Sequence, residues 1–323
     1  MAKRWGLAAR LGIGALTLIF LMVSGRAGYA APARHAPIKV LRDRGGKALH
    51  LSNATGVLSY NWSGYVLPNF ETGQTYTAAT ATWVVPAVTF DFEDSFLNVD
   101  YEFSSSWVGI GGYCEDADCF TGDTSLIQLG TEQDAYDVNG ILTTAYYAWY
   151  EKLPAASKLI KKFVVNPGDT ITASLSCIKH CDKKQQTWQL TMTDATNGSN
   201  WTKKLKYKAS ELSADWIEEA PYGFEFKKQK HPGYLPMADY GTASFSSATA
   251  NNAQANLGTG DSVYLTGDPL TATTYTGDES NPGESFNNIW GQTSVVSSPN
   301  STLDGFNACW GSFGVLTQPC NPD

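Results

Sequence analysis

Arginine is absent from most of this chain, and histidine is scarce throughout it. All six arginines lie before residue 57, and from there to residue 323 fourteen lysines face thirty acidic residues. A domain this acidic is a poor partner for nucleic acid, because nucleic-acid affinity comes from neutralising phosphates. Such an excess of carboxyl groups suits work at low pH, where protonation relieves their mutual repulsion, although solubility alone would also account for it.

The residues of several common hydrolytic mechanisms are missing as well. Only His180 and His231 lie beyond the basic N-terminal part of the chain, and no HExxH zinc motif occurs. No GxSxG nucleophile elbow is present. The glycines of residues 109–112 lack the strand and helix that flank a nucleotide-binding loop. Carboxylates, amides and aromatic rings remain to carry the chemistry, without a metal or another cofactor.

The N-terminus has the three parts of an export signal. A positive stretch at residues 3–10 precedes an apolar run at residues 11–23, and small residues at 28–33 then offer cleavage sites. The apolar run is short for a membrane span. We therefore expect residues 1–30 to be a signal peptide and the mature protein to be secreted and extracellular, away from the membrane; an uncleaved anchor is the alternative.

The six cysteines form three pairs that are close in sequence. An even number of cysteines in an exported chain predicts disulfide bonds, here as local staples on loops, with the connectivity left open by sequence. His180 lies inside one pair, but a single pair with one histidine is a weak zinc signal. The pairs are Cys114 with Cys119, Cys177 with Cys181, and Cys309 with Cys320.

Residues 31–59 form a basic segment with little periodicity. Its charge is opposite to that of the domain that follows, so it can lie across an acidic face. We predict that it is a pro-segment outside the core and a removable inhibitor.

Residues 60–323 have the pattern of one large all-β domain. Residues 77–85 alternate, and residues 187–193 place Trp188, Leu190 and Met192 on one face. The polar stretch that follows predicts a hairpin.

Helical stretches are few. Only residues 155–162 and 209–213 are short helix candidates. Many short strands separated by Gly, Pro and Asn predict a β-sandwich or barrel.

Six short blocks carry the strongest functional signal. In this order they resemble the conserved blocks of the glutamic peptidase (eqolisin) family, and they span about residues 57–250, whereas residues 250–323 are much less family-like. The blocks are Asn61–Tyr65, Trp107–Gly112, Leu126–Gly130, Ala148–Glu151, Ala214–Pro221 and Leu235–Gly241.

The resemblance implies a two-sheet antiparallel β-sandwich of the concanavalin-like jelly-roll type and an endopeptidase that works in acid. It assigns Gln128 as the amide that stabilises the oxyanion, because an amide donates a hydrogen bond without titrating. It assigns Asp215 as the carboxylate that activates water and returns the proton to the leaving amine. Other residues expected in the cleft or next to the catalytic pair are Trp107, Glu132, Trp149, Glu151 and Glu219.

Asp215 is the main departure from the family, which has Glu at this position. The side chain is shorter by about 1.5 Å, and a displacement of that order can cost roughly 10²-fold in rate. Glu219 also matches a family acid, but four strand residues place it roughly 13 Å from Asp215. Gly111, Glu132 and Tyr147 stand at positions where the family often has Asp.

Three other functions remain open at this point. A carbohydrate-binding module would use exposed Trp and Tyr, and an inactive peptidase homologue would have lost its catalytic acid. A glycosidase would need paired acids such as Glu218 and Glu219, but neighbours on a strand face opposite sides. For the peptidase, the resemblance implies a monomer whose partners are protein or peptide substrates.

Overall fold

The chain folds as an open sandwich of two mostly antiparallel sheets, not as a closed barrel. No helix in the described part of the chain is long and apolar enough to cross a membrane. The expected signal peptide and His231 lie outside the described residues. The computed structural model describes residues 34–42, 46–50, 57–90, 101–138, 140–181, 183, 185–223, 233–266, 292–312, 315–316 and 320–321.

Within these ranges the chain forms nineteen strands, one short α-helix, α1, and one 3₁₀ helix at Leu257–Thr259. The bounds are β1 Leu58–Ser59, β2 Trp62–Pro68, α1 Asn69–Thr72, β3 Ala78–Val84, β4 Tyr101–Gly111, β5 Leu126–Val138, β6 Ile141–Lys152, β7 Lys158–Leu159, β8 Thr170–Lys179, β9 Gln186–Asp194, β10 Asn200–Tyr207, β11 Ser213–Glu219, β12 Tyr222–Gly223, β13 Gly233–Tyr234, β14 Thr242–Ala250, β15 Ala253–Gln254, β16 Asp261–Thr266, β17 Gln292–Val296, β18 Phe306–Ser312 and β19 Val315–Leu316.

The front sheet carries the candidate site. Its strands run in the order β7, β6, β5, β4, β11, β2 and β16. The back sheet runs β10, β9, β8, β3, β14, β18, β17 and β16. Strand β16 belongs to both sheets, because residues 261–263 pair with β2 and residues 265–266 pair with β17.

The alternation of side chains gives the front sheet two different faces. Its inner face packs Val108, Ile110 and Trp216 against Trp83 and Trp188 of the back sheet, and these residues belong to the main core. The opposite face, called the cleft face below, carries a second apolar cluster that includes Trp62, Trp107, Trp149, Ile217 and Val263. The candidate site lies on this cleft face.

Several local predictions are confirmed. Residues 187–193 lie within β9, where Trp188, Leu190 and Met192 are fully buried, and β9 forms a hairpin with β10. All three predicted cysteine pairs are disulfide-bonded.

The two predicted helices are wrong. Residues 155–162 contain turns and β7, whose residues pair with Trp149 and Tyr150 at the edge of the front sheet. Residues 209–212 are irregular and lead into β11. Helical segments this short are marginal on their own, so pairing with neighbouring strands determines their structure.

The basic segment is part of the packed structure. Val40, Ala48 and Val57 are buried in the cluster on the cleft face, and β1 pairs in parallel with β16. The prediction that the segment stays outside the core is therefore wrong for these residues. The prediction rested on the charged residues of the segment, and the small apolar residues between them show no regular spacing that would indicate burial.

Candidate active site

Strand register brings one amide and three carboxyl groups to the cleft face. Gln128 on β5 lies opposite Glu151 on β6. Four residues along β5, Glu132 pairs with Ser105 of β4, which in turn pairs with Glu219 of β11. Positions two or four apart on a strand share a face, so these side chains lie on the same side as Trp107 and Trp149.

Two buried tryptophans form the floor between these polar rows. Trp107 and Trp149 pair with the same residue, Gly130, from opposite sides. A Cβ atom at Gly130 would lie 2.4 Å from the Ser106 carbonyl oxygen and 2.5 Å from the Trp107 Cβ. Only glycine therefore fits at this point, and it lets the strands carry both large rings without distortion.

Glu219 accepts hydrogen bonds on both carboxylate oxygens. Trp107 Nε1 donates to Oε2 at 2.8 Å, and the main-chain N–H of Ala36 donates to Oε1 at 3.1 Å. Asn61 Nδ2 also donates to Oε1, at 3.4 Å. Burial raises the pKa of Glu219 well above its usual range, and these donors oppose that shift.

Gln128 and Glu151 form the other side of the cleft. Gln128 Nε2 donates to Glu151 Oε2 at 3.4 Å. Burial raises the pKa of Glu151 to about 7, and nearby His35 opposes the rise. Burial likewise raises the pKa of Glu132 to about 8. Each acid is thus protonated at a pH where an exposed carboxyl group is ionised.

Asp215 lies on the same face but apart from this cluster. It pairs with Gly109, which pairs with Gln128, so two strand spacings of roughly 5 Å each separate the backbones. A Cβ atom at Gly109 would lie 2.8 Å from Trp107 Cζ3, which places the indole over this glycine. The Trp107 ring therefore lies between the side chains of Gln128 and Asp215. Direct interaction of Gln128 with Asp215 stays a prediction.

The surroundings of Asp215 are those of an isolated buried acid. Neither of its carboxylate oxygens has a hydrogen-bond partner among the described residues. Burial raises its pKa well above the usual range, and only nearby Ser213 opposes the shift.

The main chain of residues 34–36 crosses the cleft in an extended form. Arg34 N–H and C=O both bond to Tyr222, at 2.8 and 2.7 Å. His35 N–H donates to Glu151 Oε2 at 3.0 Å, on one side of the segment. Ala36 N–H donates to Glu219, and its carbonyl accepts from Trp62 Nε1 at 3.0 Å, on the other side. Successive residues thus face opposite walls, as in a β-strand.

Residues 37–39 are also held by hydrogen bonds to the domain. Asn61 donates through Nδ2 to the Pro37 carbonyl at 3.2 Å and accepts from Lys39 N–H at 2.9 Å. Ile38 N–H donates to the Gly112 carbonyl at 2.9 Å. Sequence reasoning missed the roles of His35 and Asn61, although Asn61 opens the first of the six blocks.

Glu218 faces the interior of the sandwich. Its side chain accepts a hydrogen bond from Ser106 Oγ, whereas Glu219 lies on the cleft face. The expectation that these neighbours face opposite sides is confirmed, so they do not form a glycosidase pair. In the described ranges no group of three or more His, Cys, Asp and Glu residues could hold a metal ion.

Raised carboxyl pKa values make a prediction for stability. The pKa is about 8 for Glu132 and Glu218 and about 7 for Asp134, Glu151 and Asp261, mainly through burial. A pKa that is higher in the folded than in the unfolded chain stabilises the fold below the unfolded value of about 4, and that stability is lost as the pH rises through the folded value.

We therefore expect the melting temperature to fall by on the order of 10 °C between pH 4 and pH 8. Circular dichroism at constant ionic strength measures it. A melting temperature that is flat or rises over this window would contradict the buried carboxyl groups as its cause.

Comparison with known proteins identifies the family. The Peptidase A4 family profile matches residues 60–281. Aspergillopepsin-2 of Aspergillus niger is 24% identical over 270 residues, which are 77% of this chain and 86% of that protein. The crystal structure of scytalido-glutamic peptidase with a transition state analog inhibitor matches with a TM-score of 0.50 at 18% identity, over 77% of this chain and 97% of that one. With this sandwich fold and a profile match over more than half its length, the chain belongs to the Peptidase A4 family.

Proposed function

We propose that the protein is a secreted endopeptidase that hydrolyses protein substrates in acid, with Gln128 and Glu219 as its working pair in place of Gln128 and Asp215. One observation carries this proposal. A stretch of the chain's own backbone lies extended in the cleft, with the amide nitrogen of Ala36 3.1 Å from Glu219 Oε1. A general acid or base must reach the atom that it protonates, and a distance near 3 Å meets that requirement.

The geometry supports a role for Glu219 in both proton transfers. As a carboxylate it takes a proton from water, whose oxygen bonds to the carbonyl carbon of the substrate. As a carboxylic acid it then returns the proton to the amide nitrogen while the C–N bond breaks, which leaves a new carboxylic acid and a free amine. The contact with Ala36 N–H marks where that nitrogen would lie.

The same segment supports Gln128 as the oxyanion donor. In an extended chain the N–H and C=O of one residue point to the same side. His35 N–H points to Glu151, which Gln128 contacts. The carbonyl before the Ala36 nitrogen therefore faces the wall that carries the Gln128 amide, where a donor can stabilise a developing negative charge. Glu151, protonated in acid, adds a second donor at this wall.

The basic segment, residues 31–59, is proposed as the removable inhibitor. The segment supplies Ala36 N–H and His35 Nδ1 to Glu219, and the domain supplies Asn61 and Trp107. Together these groups fill the acceptor positions, so water has no place on that carboxylate while the segment is bound. Removal of the segment would also admit solvent, which lowers the pKa that burial now raises and favours the ionised base.

Acid treatment should convert a latent full-length chain into an active, shorter one. Incubation of the purified protein with a denatured protein substrate from pH 2 to 7, with intact-mass spectrometry at each pH, measures activity and processing together. We expect proteolysis in acid to begin only as the N-terminal fragment appears. A full-length chain that stays intact while fully active would show that the segment is not inhibitory. Absence of proteolysis at every pH would refute the peptidase, and binding to a glycan array would then favour the carbohydrate-binding alternative.

A further inference from the structure

Positive charge is concentrated in one stretch of the domain. Residues 152–210 hold eleven of the fourteen lysines that follow residue 56, but only three of the thirty acidic residues. Two of these three acids, Asp169 and Asp194, are buried. Within an acidic protein this stretch is therefore strongly basic at its surface.

The fold brings several of these lysines to the open side of the sandwich. Strand β16 joins the two sheets on one side, and on the other side the front sheet ends at β7 and the back sheet at β10. Lys152 Nζ, at the end of β6, donates to the Lys206 carbonyl at 2.8 Å. Lys203 Nζ lies 5.2 Å from the centre of the Tyr150 ring, and Tyr150 pairs with Lys158 of β7. The two sheet edges thus share one basic surface, called the lysine edge below. It consists of Lys152, Lys158, Lys203, Lys204 and Lys206.

No described acidic side chain forms an ion pair with the lysine edge. Lys152 is half-buried, and the other four lysines are exposed. Lysines on edge strands also discourage pairing with other chains. That role needs only a few charges, whereas this chain, rich in carboxyl groups elsewhere, places most of its lysines in one stretch. Such a concentration of one charge attracts a partner of the opposite charge.

The outer face of the back sheet continues from the lysine edge as a surface of hydroxyl groups. Lys204 and Thr202 share the outer side of β10, and Thr202 Oγ1 lies 3.4 Å from Thr191 Oγ1 of β9. Further across the sheet, Thr82 Oγ1 and Thr172 Oγ1 lie 2.8 Å apart. Hydroxyl groups both donate hydrogen bonds to the hydroxyls of a sugar and accept them. A membrane surface would instead require large apolar side chains.

We propose that the lysine edge and the adjoining threonine hydroxyls bind a linear polysaccharide that carries sulfate esters. Lys204 and Lys206 lie two positions apart on β10, roughly 7 Å along the strand, so they can contact successive sulfate groups of one polymer. A sulfate ester keeps its charge in acid, where carboxylates are neutralised. The outer face of the back sheet points away from the cleft face, so the bound polymer leaves the cleft free. This binding does not depend on peptidase activity.

Dextran sulfate is the probe, and uncharged dextran is its control. Biolayer interferometry with the immobilised full-length protein at pH 5 should detect binding of dextran sulfate but not of dextran. Binding should weaken at least about tenfold when the ionic strength rises from about 0.05 M to about 0.5 M, because salt screens exposed charges.

Removing lysines from β10 tests the surface directly. The triple variant Lys203→Gln/Lys204→Gln/Lys206→Gln changes only exposed side chains, so its melting temperature should stay within about 2 °C of wild type. Its affinity for dextran sulfate should fall by about tenfold or more, since three ionic contacts are lost.

A second triple variant is the matched control. Lys227→Gln/Lys228→Gln/Lys230→Gln removes the same charge outside residues 152–210, and it should bind dextran sulfate like wild type. Equal losses of affinity in the two triple variants would show that net charge alone matters, and the lysine edge would fail as a site.

The sugar contacts have their own test. Thr191→Val/Thr202→Val keeps the shape of both side chains and removes two hydroxyls, so affinity for dextran sulfate should fall by about threefold or more. Affinity for polyphosphate, a polyanion without sugar, should not change. Equal effects on the two polymers would overturn a polysaccharide as the partner. Wild-type protein that ignores dextran sulfate, or binds anionic phospholipid vesicles in its place, would overturn the proposal even if the protein proves to be an active peptidase.

Discussion

Glu219→Gln should lower kcat/KM for a denatured protein substrate by roughly 10³-fold. The amide keeps the size and some hydrogen bonds of the carboxyl group but cannot take a proton from water and return it to the leaving nitrogen. Substrate binding should change less than the chemical step, so the loss should fall mainly on kcat. Initial rates in acid, on protein freed of its N-terminal segment, measure this.

Asp215→Asn is the matched control. Both residues lie on β11 and the cleft face, and both are fully buried. Because the Trp107 ring lies between Asp215 and Gln128, we expect Asp215→Asn to retain activity within a few-fold of wild type. The opposite result, loss with Asp215→Asn and activity with Glu219→Gln, would restore the assignment made from sequence. Circular dichroism of each variant separates misfolding from loss of chemistry.

Lengthening Asp215 distinguishes the two assignments in another way. If Asp215 is the base, Asp215→Glu restores the family residue and should change activity in acid. With Glu219 as the base, the extra methylene enters a packed interior, so it should lower the melting temperature and leave the rate per folded molecule unchanged.

Gln128→Ala should cost on the order of 10²–10³ in kcat, the usual effect of removing one oxyanion donor. Gln128 is fully buried, with its Nε2 near Glu151. Alanine removes the donor and leaves the proton-transfer residue in place, so the shape of the pH–rate profile should persist while its height falls.

Gln133→Ala provides the comparison on the same strand. Gln133 is also fully buried, but five positions along β5 put it on the inner face, beside Thr131 and Ser106. Its loss should lower stability with little effect on kcat. Similar losses of kcat for both variants would indicate that the strand, rather than the Gln128 amide, is what the reaction requires.

Local patterns predict much of this fold. Alternation along β9 identified the buried face of Trp188, Leu190 and Met192, and the same rule put Glu218 and Glu219 on opposite sides of β11. These features depend only on residues that are near in sequence, where the side-chain period of a strand applies directly. The two-sheet architecture itself came with the family resemblance.

The arrangement of the site depends on contacts between distant residues. The Trp107 ring lies over Gly109, two residues further along β4, because glycine has no side chain to block it. The ring thereby separates Gln128 from Asp215. The insertion of His35 joins residues more than a hundred positions apart, including Glu151 and Glu219. Strand periodicity predicts the face that a side chain takes, but not which neighbour across the sheet it meets.

Strand β1 also protects an edge of the sheet. Through β1 the basic segment covers the backbone of residues 264–265 in β16. Cleavage at the predicted boundary after residue 59 would take this cover away and leave a free strand edge where the two sheets meet. Exposed edges invite pairing with other chains. While it remains attached, the segment would also protect a newly made chain from aggregation through this edge.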